Sequence, residues 1–375
     1  MRTRVKVASI LGAAALVGSS LGAQAFATGT QPNAQAGTVA RQKAPRLDHI
    51  YVIMLENHSK SSVIGNRNAP FMNRLANHFA MADHYYGVTH PSMPNYIASI
   101  AGDNFGIQDD NDQNVTHLNR RNLVDQLENH HVRWAAYMED LPRNKRARFW
   151  PAEDQALYAR KHNPFVLFTD IKHNEQRMHH VRDYSRMADD LNSKHAPQFV
   201  WISPNQCHDM HGGVSKHIKG HPETPCNYGN ADDDANDAAL KRKADRFVRQ
   251  AVHTIRSSSA WTKHSAIVIV TDENDFEFSN TETGHWESAA GCCDSPYVGK
   301  GDPRVSDTWP GGTYGGGLIP AIIVSPQGPR HYVGHRKFNH YSLLTTIEQN
   351  WHLGYLGHAG DRAGGVHAMW PLFLK

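Results

Sequence analysis

No stretch beyond residue 27 is both long and apolar enough to cross a membrane as a helix. Neither sign of charge is in real excess. The 39 Lys and Arg exceed the 36 Asp and Glu by three, the number of basic residues (Arg2, Arg4, Lys6) at the very start. Without them the charges balance, and the electrostatic case for a nucleic-acid partner falls away. No GxSxG or HExxH string occurs, so the sequence signatures of α/β-hydrolase esterases and zincin proteases are missing. No internal repeat shows, and no linker-like stretch follows residue 45, so one domain is expected over 45–375. Cysteine is scarce, at four residues.

What is present begins with a secretion pattern. Arg2, Arg4 and Lys6 precede an apolar run from Val7 to about Gly22, and small residues near Ala25 and Ala27 suit cleavage. Residues 1–27 are therefore expected to be a signal peptide and 28–44, small and polar, a flexible leader. An exported chain permits disulfides, and Cys207, Cys226, Cys292 and Cys293 allow three pairings. Neighbouring cysteines rarely join, so Cys292 and Cys293 are expected to reach separate partners at Cys207 and Cys226. Histidine is abundant, at 26 residues, which makes the chain's charge sensitive to mild acid.

Short β-rich apolar runs alternate with helical periodicity. His49–Leu55, Val132–Met138, Gln198–Ile202, Ser265–Thr271 and Ile319–Val324 read as strands. Pro70–Ala82, the run after Ser92, Asn122–His130, Ala231–Ser257 and His340–Leu353 read as helices. Such alternation predicts a layered α/β domain, a three-layer sandwich around a mostly parallel sheet. Residues 277–317, with Gly, Pro and two cysteines but no periodicity, are expected to form a long loop over one edge.

Ser92 is the proposed nucleophile. Pro91 and Pro94 stiffen its turn, and Tyr96, Ile97 and Ile100 start a buried helix behind it, so the hydroxyl faces a helix N-terminus that favours an anion. Ligands of open α/β sheets gather beyond the carboxyl ends of the strands, where the chain places Glu56 and Asn57, Asp209 and His211, and Asp272 and Glu273. Of these, Glu56, Asn57, Asp272 and Glu273 are hard oxygen donors that with Ser92 suit one divalent cation, Mg²⁺, Ca²⁺ or Mn²⁺, or Zn²⁺ or Fe if a histidine joins. A cation lowers the pKa of the serine and polarises a phosphoryl oxygen, Asn95 donates to the developing charge, and His211 or His340 protonates the leaving oxygen. The aspartates Asp232, Asp233 and Asp234 read as a solvated helix start instead.

Five ordered segments resemble one family: Ile53-Met-Leu-Glu-Asn-His-Ser59, Thr89-His-Pro-Ser-Met-Pro-Asn-Tyr96, Pro204-Asn-Gln-Cys-His-Asp-Met-His211, Thr271-Asp-Glu273 and His340-Tyr-Ser-Leu-Leu-Thr-Thr-Ile-Glu348. It is the phosphoesterase family of bacterial acid phosphatases and phosphatidylcholine-type phospholipases C. Glu139-Asp-Leu-Pro142 and Tyr158-Ala-Arg-Lys-His162 are similar to its shorter secreted acid phosphatases. The resemblance implies an alkaline phosphatase-like fold and a metal site of Glu56, Asn57, Asp272 and Glu273, with Ser92 as ligand and nucleophile. It also implies phosphate-binding or proton-handling roles for Asn95, Lys161, His162, His208, Asp209, His211 and His340.

A secreted phosphomonoesterase acting on a phosphorylated small molecule is the leading expectation. A phospholipase C that takes a lipid headgroup is the second, disfavoured by the missing large C-terminal domains. A binder of cations or phosphate without turnover is the third.

Overall fold

The computed structural model describes residues 46–111, 118–144, 149, 156–229, 233–275, 289–298, 312–313 and 315–375. The signal, the leader and most of the 277–317 loop lie outside them, and so does Asp232. The sheet is built on β1 (His49–Leu55), every residue of which is buried. Successive side chains of a strand point to opposite faces. Ile50, Val52 and Met54 accordingly enter one core and Tyr51, Ile53 and Leu55 another.

The remaining strands are β2 (Ala80–Tyr86), β3 (Trp134–Met138), β4 (Val181–Asp183), β5 (Phe199–Ser203), β6 (Ser265–Thr271), a small separate pair β7 (Tyr297–Val298) and β8 (Gly312–Thr313), β9 (Leu318–Ile319), β10 (Ala321–Val324) and β11 (Tyr332–Asn339). The main sheet has nine strands in the order β11-β2-β10-β6-β1-β5-β3-β4, with β9 on β2. Pairing is parallel throughout except at β10 and β9. The first core is closed by helices α2 (Ser92–Ala101), α3 (Leu123–Asn129) and α5 (His340–Trp351), the second by α1 (Pro70–His78) and α4 (Ala235–Ser257). The expected three-layer α/β sandwich is the one found.

Three expectations are corrected. The helix read over Pro70–Ala82 stops at His78, and Ala80–Ala82 become β2, because that segment pairs with β11 on one side and β10 on the other. The strand read over Ile319–Val324 is split by Pro320, and β10 runs against its neighbours. The cysteines pair locally: Cys207 with Cys226, and Cys292 with Cys293. Val214 and Cys226 form an antiparallel bridge that folds the loop back on itself and brings Cys226 within a Cα–Cα distance of 5.4 Å of Cys207.

Candidate active site

Because β1, β5 and β6 are parallel, the residues that follow them share one rim. Glu56 follows β1, Asp209 lies in the turn after β5, and Asp272 and Glu273 follow β6. Backbone bonds lock these turns together: Glu56 N–H donates to Asp209 O (2.8 Å), Asp272 N–H to Leu55 O (3.0 Å) and His58 N–H to Glu273 O (3.0 Å). The loop after β2 carries the chain to the same rim. At Gly87 a Cβ would stand 2.7 Å from Asp272 O and from Gly316 Cα, so only glycine lets the loop pass between them.

Ser92 opens α2 and is 2 % exposed. Its Oγ donates toward Glu273 Oε1 (3.0 Å) and Glu56 Oε2 (3.1 Å), two carboxylates on different loops. Asn95 holds the turn: its Oδ1 accepts from Val88 N (2.8 Å) and Thr89 N (3.0 Å), and its Nδ2 donates to Thr89 O (2.6 Å) and to Glu273 Oε2 (3.3 Å). The residue thus fixes both the backbone ahead of the serine and the carboxylate beside it.

Histidines line the other side. His162 Nδ1 meets Asp209 Oδ2 at 3.1 Å, and its ring stacks on Tyr96 at 5.4 Å. His162 Nε2 stands 3.2 Å from Glu56 Oε1 but is not aligned for a hydrogen bond. His211 packs edge-on against His162 at 5.3 Å, and the half-exposed Tyr228 packs edge-on against His211 at 4.9 Å. His211 Nδ1 faces Gly212 O at 3.1 Å, which places the proton on Nδ1 and leaves Nε2 an acceptor.

Burial dominates the electrostatics. Glu56 and Asp209 are held well above the usual carboxylate range by burial, Glu56 further by Asp272. Asp272 is pushed up to about 8 by burial and by Glu273. Burial, then Lys161, drives His162 well down and His211 to about 3. Four enclosed carboxylates beside neutral imidazoles form an environment short of positive charge. Glu56 Oε1, Asp272 Oδ2 and His162 Nε2 are buried without a hydrogen-bond partner, and ligand atoms of Glu56, His162 and His211 lie within 4.8 Å of one another. The donors fit a divalent cation of mixed oxygen and nitrogen preference.

A family model described as the Phosphoesterase family matches residues 65–222 and 226–354. The chain belongs to that family. This phosphoesterase is 25% identical over 355 residues to the phosphate-repressible acid phosphatase of Penicillium chrysogenum, spanning 90% of the chain and 71% of the fungal protein. It is 24% identical to a probable acid phosphatase of Kluyveromyces lactis over 87% of the chain and 63% of that protein. It is 32% identical over 178 residues to the phosphatidylinositol-3-phosphatase of Mycobacterium tuberculosis, spanning 47% of the chain and 55% of that protein. Among solved structures, Ps i-CgsB shares the fold with a TM-score of 0.50 and 13% identity over 87% of this chain and 76% of its own. An alkaline phosphatase superfamily protein from Vibrio parahaemolyticus aligns with a TM-score of 0.46 and 10% identity over 84% of this chain and 68% of its own.

Not every residue singled out in the phosphoesterase sequence reaches the cluster. Asn57 joins through its backbone, its N–H donating to Asp272 Oδ1 at 2.9 Å. His208 points elsewhere, to Glu139 at 3.0 Å and onto the ring of Phe247. His340 is fully buried, its Nε2 on Asp272 O (2.6 Å) and its Nδ1 on the Tyr85 hydroxyl (3.2 Å), so it positions Asp272 and does not face the cleft. Lys161 pairs with Asp110 at 2.8 Å, and Asp110 also accepts from Met93 N (2.9 Å) at the start of α2. Sequence reasoning passed over Asp110, Tyr96 and above all His90, which bonds Glu273 Oε2 (2.7 Å) and Asn274 Oδ1 (2.9 Å). Only its place two residues before Ser92 hinted at His90.

Proposed function

We propose that the protein is a secreted, metal-dependent acid phosphatase-type enzyme that hydrolyses phosphate monoesters through a phosphoserine on Ser92. By family it is a hydrolase of phosphoric ester bonds. The observation that carries the mechanism is the single hydroxyl at a helix N-terminus between two buried carboxylates from separate loops. When bound, a divalent cation held by Glu56, Asp272 and Glu273, with His162 alongside, supplies charge to neutralise the phosphoryl oxygens and favour the serine alkoxide.

The residues divide the remaining work. Ser92 Oγ attacks phosphorus and passes its proton to the Glu273 carboxylate, the bond from phosphorus to the ester oxygen breaks, and the departing alkoxide takes a proton from water at the mouth beside His211. The hydroxide so formed then attacks the phosphoserine, and Ser92 leaves phosphorus and recovers its proton from Glu273. One ester and one water become an alcohol and inorganic phosphate. Asn95 and the α2 N-terminus keep the serine in line during both displacements. Export is supported by the Arg2 to Ala27 pattern and by the Cys207–Cys226 disulfide, which suits an oxidising compartment.

The test is release of p-nitrophenol from p-nitrophenyl phosphate by wild type and Ser92→Ala, before and after chelation and with divalent cations restored. The variant is expected to lose about 10³-fold or more in kcat, and the chelated enzyme to recover with added metal. A variant as active as wild type defeats the serine mechanism. Phosphocholine released from lipid with monoesters untouched reverses the substrate assignment.

A further inference from the structure

A concave site lies well away from the catalytic cluster. β6 separates Asp272, at its carboxyl end, from Trp261, just before its start, by about 20 Å of strand. There the last three turns of α4, the start of α1 and Trp261 border an open groove of 610 Å³, lined by the apolar side chains of Phe71, Val252 and Trp261 and by the basic ones of Arg246, Arg249, His253 and Arg256. The volume falls within the range of small-molecule sites. From Arg246 to Lys263 the chain contains no Asp or Glu.

The arrangement is costly as a mere surface. Arg246, Arg249, His253 and Arg256 recur at three- and four-residue spacing on one exposed face, where like charges disfavour the helix. The helix dipole rewards a cation in the last turn and so accounts for Arg256, but not for Arg246 and Arg249 further back. Among the described residues, the carboxylate that approaches them is Asp245, in a long pair with Arg249. Asp245, the acid closest in sequence, spends Oδ1 on Phe71 N and Met72 N (2.8 Å each), and its Oδ2 stays 3.7 Å from Arg249. Two guanidinium groups are held in place by rings, Arg249 at 5.6 Å over Phe71 and Arg256 at 6.0 Å over Phe79. Trp261 in turn rests against Tyr51, ring centroids 6.2 Å apart.

We propose that this groove binds a small amphipathic anion, an apolar body lying on Phe71, Val252 and Trp261 with a phosphate, sulfate or carboxylate head between Arg246, Arg249 and Arg256. The apolar floor excludes a purely ionic ligand and the cationic rim excludes a neutral one. The site is independent of the catalytic cluster and of the reaction assigned to it.

Calorimetric titration of the full chain with decyl sulfate below its micellar concentration tests the idea, with inorganic sulfate and decyltrimethylammonium as comparisons. The expected result is one decyl sulfate per chain with Kd below about 1 mM, at least about tenfold weaker binding of both comparisons, and a similar loss in the double variant Arg249→Glu/Arg256→Glu. Trp261→Ala should weaken decyl sulfate binding while leaving p-nitrophenyl phosphate hydrolysis unchanged, which reports that the chain is folded. Undetectable decyl sulfate binding, equal binding of the cationic detergent, or affinity indifferent to both sets of substitutions overturns the proposal.

Discussion

At the scale of single residues, the acids of the site owe their place to the strands ahead of them. Glu56 and Asp272 stand directly after strongly apolar strands, Glu273 follows Asp272, Asp209 lies in the turn after β5, and a parallel sheet delivers such residues to one rim. The orientation of His208 was hidden, because residues 208 and 209 are adjacent yet face opposite ways. Tyr228 was invisible too, since its value lies in packing on His211 across a loop. A half-exposed ring at the mouth should stack on an aromatic leaving group. Tyr228→Ala is expected to raise KM for aryl phosphates about three- to tenfold with kcat held, while alkyl phosphates respond little. Equal effects on both substrate types sink that role.

Glu348 offers a residue-scale test of stability. It sits in α5, 1 % exposed, with Oε1 accepting Leu356 N–H at 2.8 Å and Oε2 without a partner. Burial pushes its pKa up to about 8. The unfolded carboxyl titrates near 4.3, so between that pH and about 8 the native state holds a proton that the unfolded chain has released. Its contribution to stability is therefore whole in acid and lost as pH rises through that window. Glu348→Gln should make the protein about 1 kcal/mol or more stabler at pH 8 than wild type and change it little near pH 4.5. Urea denaturation at both pH values measures this, and an unaltered pH slope in the variant refutes it.

At the scale of elements, the reading succeeded for segments whose local pattern agrees with their final pairing. β1 and β6 are continuous apolar runs and are buried on both faces. It failed at β2, where Ala80-Met-Ala82 extends the helical periodicity of Met72, Leu75 and Ala76 and only the flanking strands β10 and β11 decide the outcome. It missed β11, whose sequence is mostly exposed and polar as befits an edge strand. The start of α4 is also an element-level device. Asp234 caps the helix, and Asp237 accepts from His58 Nε2 (2.7 Å) and the fully buried Lys241 (2.8 Å), tying α4 to the loop that follows Glu56. Asp237→Ala strands the Lys241 charge, and a loss of about 3 kcal/mol in denaturation free energy is expected. A loss under about 1 kcal/mol would mean that Asp233, 3.3 Å from Lys241 Nζ, carries the pairing alone.

At the scale of the whole molecule, the sheet gathers acids from distant parts of the sequence into a space with too little positive charge. On the proposed metal-dependent reading a cation would relieve the repulsion among them, so metal binding and global stability are expected to be linked. A divalent ion at 100 times its Kd adds about 3 kcal/mol to unfolding free energy. For a chain of 375 residues, that is a rise of a few degrees in Tm. Chelation should therefore lower Tm, and restoring the ion that restores hydrolysis should raise it again. Asp272→Asn separates linkage from nonspecific ion effects when measured at pH 9, above the value of about 8 to which Asp272 is raised: there, removing one formal charge relaxes the repulsion in the metal-free protein while weakening the site. The variant is thus expected to match or exceed wild type in chelator and to gain less than wild type from metal. A Tm indifferent to chelator in the wild type, or an equal metal-induced gain in both proteins, would show that the converging acids do not hold the cation.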